Sequence, residues 1–426
     1  MISTLSNWLN AQDYRYIILM LLLIVLPSLE APKNLFALLY VFSWLFIAYR
    51  GKNWGGKWRV ADTLFLFFFV GNIAVSLNAF IILDMPVSAI NDVSRYILVV
   101  WVLSRHFMEK KQVVSLYIAI VLSTAASLIY SFFTCPQGGV CLELNSVGHV
   151  NHTAIYLVIT YSIGLSLLLT NFLNFLNYQR LLLILSILSI LFIAYAIVVS
   201  NSRAATGFLL IVTLLSVLHS VIKFQGWRFR LTVLFFMVLG SLLVINNPPS
   251  VIYKFSASDS LFDDLERKKI RNFAYYVFKT YPILGVGFGN FTNLGHEHIK
   301  DKVIEDLGVY EKEKYAPYDH THNIYYNFLV SGGIVMFSAL LWFFSQVIKT
   351  IWRVGKENNR KELRRRHNDD VFEYRDDTLL IISSSLVVLT VLGIGFVNTT
   401  LSHEHALLSI FVFGLLFSKD RELNAR

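Results

Sequence analysis

Apolar residues in this chain run in long blocks, and polar residues gather in short stretches between them. A helix needs about 20 apolar residues to cross the hydrocarbon core of a bilayer. On that rule the pattern predicts spans near 14–30, 34–49, 61–83, 89–105, 112–133, 152–172, 179–200, 203–222, 231–247, 323–348, 378–397 and 403–418. The predicted class is an all-α polytopic membrane protein of about twelve transmembrane helices. One long polar segment breaks the series between the ninth and tenth spans. It divides the chain into 1–247 (spans one to nine), 248–322 (a loop domain) and 323–426 (spans ten to twelve and a tail).

Within the loop, Ile270, Phe273 and Val277 recur at spacings of three and four, which predicts an amphipathic helix. Arg267 and Arg271 flank its apolar stripe. The helix should stop at Tyr281-Pro282, because proline restricts the residue before it. Gly285-Val-Gly287-Phe-Gly289-Asn290-Phe291 follows, a turn able to bring backbone close to a ligand. Its spacing is not G-x-G-x-x-G and it follows a helix, which excludes a dinucleotide-binding reading. No internal repeat and no broken helix is visible in the pattern.

Composition agrees with the membrane class. Hydrophobic residues make up 55% of the 426 and charged residues 15%, too apolar for a soluble protein to cover its surface. The 34 Phe and 21 Tyr suit helix interfaces and headgroup depth. A net charge of +9 raises the question of nucleic acid, but the basic residues sit in short loops between apolar spans, so no nucleic-acid partner is expected. Those loops are Arg50–Arg59, Arg105–Lys111, the Arg180 turn, Lys223–Arg230, Lys349–Arg375 and the tail from Lys419, whereas 84–88, 134–151 and 398–402 contain no Lys or Arg. The positive-inside rule then places both termini in the cytoplasm and the 248–322 loop outside it. The run near Tyr16–Pro27 lacks a small-residue cleavage site, and so reads as a first span rather than a signal peptide. Cys135 and Cys141, in one extracytoplasmic loop, form either a disulfide or two unpaired thiols.

Three polar groups fall at extracytoplasmic helix ends. The first is Ser200-Asn-Ser202-Arg203-Ala-Ala-Thr-Gly207, where Arg203 opens span eight. It is either a snorkelling interface arginine or a guanidinium fork aimed into a protected cavity, where it would match a phosphate oxygen pair. The second is Arg267 with Arg271, either a solvated helix face or a second anion contact. The third is Asp319-His320-Thr321-His322-Asn323, followed by Gly332-Gly333, where the loop re-enters span ten. Histidine takes a proton near neutral pH, and Asp319 or Asn323 is placed to orient it. A metal site is the rival reading for His320 and His322, with His296, His298, His403 and His405 elsewhere, but none has the i, i+4 spacing of H-E-x-x-H. Arg95, near Asp92, should form a salt bridge with it in preference to touching a lipid phosphate. His149 and His152 read as caps of span six, and His403-Glu404-His405 as a polar interface.

Taken in order, Ser202-Arg203-Ala204-Ala205, the Arg-containing helix, Pro282-Ile-Leu-Gly285-Val-Gly287-Phe-Gly289-Asn290-Phe291 and His322-Asn323 with Gly333 resemble the O-antigen ligase/polymerase superfamily of bacterial envelope glycosyltransferases. The twelve-span layout with one large loop extends the likeness over the chain. One departure is Met336, where many relatives carry a second glycine. The resemblance implies a membrane-glycosyltransferase (GT-C-like) architecture in a Gram-negative inner membrane. It implies transfer of a glycan from undecaprenyl diphosphate to a hydroxyl of lipid A–core oligosaccharide, with membrane lipids as surroundings. Arg203, Arg267 and Arg271 would hold the donor diphosphate. His322 would be the general base, with Asn323, His320, Asp319 and Gly333 in support. No metal or other cofactor is expected, and the direct displacement inverts the anomeric carbon.

The nearest alternatives on the same motifs are an O-antigen polymerase and a protein O-oligosaccharyltransferase. A transporter is the rival from another class; it calls for inverted repeats and broken helices near the midplane.

Overall fold

A computed structural model describes residues 13–87, 90–134, 142–178, 180–200, 202–223, 265–318, 320–366 and 377–425. The ninth predicted span, Cys135, Cys141 and Asp319 lie outside the described residues. Among those described, the helices are α1 (Tyr14–Val25), α2 (Glu30–Gly51), α3 (Val60–Ile82), α4 (Ile90–Leu103), α5 (Lys110–Thr134), α6 (Val150–Tyr178) and α7 (Arg180–Val199). The series continues with α8 (Arg203–Lys223), α9 (Leu265–Thr280), α10 (Glu297–Leu307), α11 (Ile324–Arg366), α12 (Thr378–Ile394) and α13 (His403–Leu423).

Among the described residues, five helices are both long and apolar enough to cross a membrane: α2, α3, α5, and the stretches Val150–Thr170 of α6 and Ile324–Arg360 of α11. Four more are apolar but shorter: α1, Ile184–Val199 of α7, Arg203–His219 of α8, and α12. The protein is thus a helical membrane protein by length and composition. α11 runs on to Arg366, so much of the basic stretch expected as a loop after span ten continues that helix instead.

α6 is the centre of the bundle. Its most apolar window is 89% buried, against 33% for α2 and α3, which keep most of their surface for lipid. It packs on α5, α7, α8, α12 and α13. Ser162, Ser166 and Thr170 are buried along it and return their hydroxyls to the carbonyls of Val158 (2.8 Å), Ile163 (2.7 Å) and Ser166 (2.6 Å). Small polar residues satisfied within their own helix let neighbouring backbones approach closely.

Charged residues fix one end of the bundle. Asp62, fully buried near the start of α3, accepts from Arg105 after α4 (2.9 Å) and from Arg421 of α13 (2.8 and 2.9 Å). Arg353 of α11 holds Asp420 through two bonds of 2.8 and 2.9 Å. Asp13, just before α1, meets His106 at 2.9 Å. α1 therefore begins, and α13 ends, at this basic end.

At the opposite end, the 265–318 segment builds a second apolar core. Ile270, Phe273 and Val277 of α9 are buried against Ile299 and Val303 of α10, so the predicted amphipathic stripe is the face that packs. Ala79 and Met85, at the end of α3, complete this core. Burial, with help from Lys312 and against Glu297, holds His296 below the ordinary histidine value, and its Nδ1 is bonded to the Tyr310 hydroxyl.

α11 is broken, contrary to the expectation of intact spans. Gly333 has φ 60° and ψ −162° inside it. An intact helix would join the Val330 carbonyl to Ile334 N–H and the Ser331 carbonyl to Val335 N–H. Here the glycine-rich loop is inserted between them. Val286 and Gly287 donate to the Val330 and Ser331 carbonyls (2.9 and 2.8 Å), while Ile334 and Val335 donate to the carbonyls of Pro282 and Ile283 (2.9 and 3.4 Å). The loop thereby satisfies the groups that the break exposes. Gly285 and Gly333 mark the closest approaches of loop and helix: a Cβ at Gly285 would lie 2.3 Å from the Val330 carbonyl oxygen, and one at Gly333 would lie 2.2 Å from that of Ile283, while Gly289 lines the cavity described below. Met336 does not prevent close packing, because its side chain lies over Gly332 and over Gly71 of α3; the small residue comes from the facing helix.

Candidate active site

The site assembles around the turn between α12 and α13. Helix ends leave carbonyls without intrahelical donors, and groups from α9 and from the start of α11 take these up. Ile324 N–H donates to the Gly395 carbonyl (2.9 Å), Asn323 Nδ2 to Phe396 (2.9 Å) and Arg267 Nη1 to Val397 (3.3 Å). Tyr325 O–H reaches the Leu392 carbonyl (2.9 Å), and the Tyr325 and Phe396 rings pack at 4.7 Å. Arg267 and Asn323 are therefore fixed on adjacent carbonyls of one turn, which places the guanidinium beside the start of α11.

Asn323 is the helix cap. Its Oδ1 accepts from the N–H groups of Tyr325 (2.9 Å) and Tyr326 (3.0 Å). Both ends of its amide are engaged this way, which fixes the backbone next to His322. His322 has a positive φ of 49°, and His403, which opens α13, has 51°. L-residues in this region cost about 1–3 kcal/mol each and cluster at functional sites.

His320 and His322 meet with ring centroids 4.1 Å apart, and Tyr318 packs on His322 at 5.4 Å. His320 in turn contacts His152 of α6 at 5.7 Å, and His152 contacts His403 at 4.8 Å and His405 at 5.3 Å. His149 caps α6 as expected, its Nδ1 accepting from Asn151 N–H (3.2 Å), whereas His152 belongs to the histidine row rather than to the cap. Among the described residues, no group of three or more His, Cys, Asp or Glu has the geometry to hold a metal ion.

Next to this row, α3, α4, α11 and α13 enclose a cavity of about 450 Å³. Asp92, His152, His320, Thr399, Ser402 and His403 line its polar end. Phe65, Phe68, Val100, Leu340, Phe343 and Ile410 line the deeper, apolar part. Arg95 pairs with Asp92 at 2.9 Å, as expected. Behind the row, Lys33 of α2 is buried and holds Glu404 of α13, Glu30 and Ser146.

Arg203 opens α8 half-buried. One to two turns further along that helix, the Phe208 ring fills the space beside Gly393 of α12. Gly393 immediately precedes the turn that carries Arg267 and Asn323, so Arg203 stands at the histidine end of the bundle. Arg271 lies one helical turn from Arg267 on α9 and is half-buried. Gly333 stands eleven residues after His322, at the break in α11.

Arg203, Arg267, Arg271, His320, His322, Asn323 and Gly333 fall within one stretch. Residues 188–341 match the family model of the O-antigen ligases. The superfamily resemblance read from the motifs therefore holds, and the match supports O-antigen ligase- or polymerase-type function broadly. Members of this family are glycosyltransferase-like enzymes. No curated protein matches the chain. The matched O-antigen ligase segment contains Arg203, Arg267, Arg271, the glycine loop, His320, His322, Asn323 and Gly333. The partners it meets at the site, His152, Thr399, His403, Glu404 and His405, come from outside it.

Sequence reasoning missed that last group as site residues. The available signal was position: His149, His152, His403 and His405 all fall at ends of spans predicted to face the same side.

Proposed function

We propose that this protein is an O-antigen ligase of a Gram-negative inner membrane, with both termini cytoplasmic, twelve spans and its site at the periplasmic face. The substrates are an undecaprenyl-diphosphate-linked polysaccharide and a hydroxyl of lipid A–core oligosaccharide. The observation that supports this reading is that Arg267 and Asn323, the neighbour of His322 and like it inside the family match, hold adjacent carbonyls of one turn, near a cavity that has His320 in its wall together with polar and apolar lining. Such a cavity suits a molecule with a polar head and a hydrocarbon tail.

In the reaction, His322 takes the proton of the acceptor hydroxyl. The oxygen attacks the anomeric carbon, the carbon–phosphate oxygen bond breaks, and its electron pair leaves with the diphosphate. Attack from the face opposite the leaving group inverts the anomeric configuration. Arg203, Arg267 and Arg271 offset the charge that builds on the diphosphate. Each charge-assisted hydrogen bond contributes about 1.5–3 kcal/mol, so two arginines can do what a metal ion does elsewhere. A positioned base contributes roughly 10²–10⁴ in rate.

The test is the lipopolysaccharide profile of a deletion strain. Unmodified core together with carrier-linked polymer is the expected result. Lipopolysaccharide bearing a single repeat would make the protein a polymerase and overturn the ligase reading. In a purified transfer assay, chelator should leave the rate unchanged; strong inhibition would contradict the metal-independent mechanism.

A further inference from the structure

The proposed reaction leaves a proton on His322, and five more imidazoles stand in a row behind it. They are His320, His152, His149, His403 and His405, drawn from α6, α13 and the segment before α11. Six of the chain's 11 histidines are therefore gathered at one place.

Simple core packing would leave each buried ring nitrogen with a partner. Here Nδ1 of His152 and Nδ1 of His405 are buried without a hydrogen bond, and so is Oε2 of Glu404. His152 is 8% exposed and His405 0%. His405 donates through Nε2 to the Thr399 carbonyl (3.0 Å), so that nitrogen carries the proton and Nδ1 presents a lone pair. The row thus contains proton acceptors that the protein itself does not fill.

The fixed charges around it are paired with one another. Lys33 of α2 joins Glu30 of the same helix and Glu404 of α13, and Arg95 joins Asp92 on α4. Lys33, Asp92 and Glu30 act electrostatically on His403, and His149, His320, His322 and His403 act on His152, while Tyr318 faces His320 and His322. Histidine is the side chain whose chemistry allows a proton to be taken up at one ring nitrogen and released from the other.

We propose that His320 and His152 relay the proton taken by His322 along this row to His403 on the cavity wall. The inference rests on the transfer reaction proposed above. His322 receives the proton from the acceptor hydroxyl and passes one to His320, which passes one to His152, which passes one to His403. Water in the cavity accepts the last proton, and every ring returns to neutral for the next turnover. His152 touches no reacting atom; it is a positioning residue that acts through His322.

The test uses the purified full-length protein with undecaprenyl-diphosphate-linked O-antigen and lipid A–core. His152→Gln keeps a hydrogen-bonding side chain but does not titrate. Its kcat should fall roughly tenfold or more, with KM for both substrates unchanged and a shifted pH profile. His152→Ala should regain rate on addition of free imidazole, in proportion to its concentration. His320→Gln provides a second variant in case the α6 substitutions prevent membrane insertion, and the same loss is expected. If the wild type transfers glycan, His322→Ala does not, and both glutamine variants keep the wild-type kcat and pH profile, the relay is wrong and the ligase reading stands. If the wild type transfers nothing, the ligase reading itself fails.

Discussion

Asn323 shows how much one side chain settles at this site. Its amide caps α11 through two backbone N–H groups and grips the Phe396 carbonyl through its nitrogen. His322 is the preceding residue, held at positive φ. Losing such a cap costs about 0.5–2 kcal/mol, and a reacting group displaced by about 1 Å can lose 10² in rate. Asn323→Ala should therefore insert normally yet lower kcat by roughly 10- to 100-fold, with a smaller change in KM, in a purified transfer assay. A wild-type kcat would mean that the cap does not position His322. That Arg267 and the residues around His322 would find polar partners was legible from sequence, because a charged or titratable side chain beside an apolar stripe or at a span end calls for one. Asn323 was read as a partner of the histidine ring, and its carbonyl partner on another helix was not legible.

At the scale of elements, the break in α11 and the loop that fills it form one device. Sequence showed both halves, Pro282–Gly289 and Gly332-Gly333, as separate motifs. It did not show that they bind each other, because hydrogen bonds between backbone groups leave no mark on side-chain identity. For the same reason the helix was expected to be unbroken. A break near the membrane interior is also what a transporter would show; here the loop's own backbone occupies it. Gly333→Ala should place a Cβ against the Ile283 carbonyl at a φ disfavoured for alanine, at a cost of about 1–3 kcal/mol for the backbone alone. The expected result is loss of hydrogen-exchange protection at Val286 and Gly287, together with loss of transfer. Gly355→Ala on the same helix, where a Cβ meets nothing within 4 Å, is the control and should behave as wild type. Equal protection in the two variants would show that the loop does not depend on the break.

Across the whole molecule, charge divides the bundle by function. At one end, Asp62, Arg105, Arg421, Asp420 and Arg353 lock α3, α4, α11 and α13 together. At the other end, the same four helices open into the cavity beside the histidines, and the α9–α10 core covers α3 and α11. The alternation of basic and uncharged loops made the two ends legible in sequence. The contribution of α6 and α13 to the site was not legible, since it depends on which helices become neighbours. The central claim is that His322 removes the acceptor proton. Its most direct test is the lipopolysaccharide banding of a deletion strain complemented with His322→Ala, at membrane levels matched to wild type. Uncapped core with accumulated carrier-linked polymer is the predicted result, and normally capped lipopolysaccharide would contradict it.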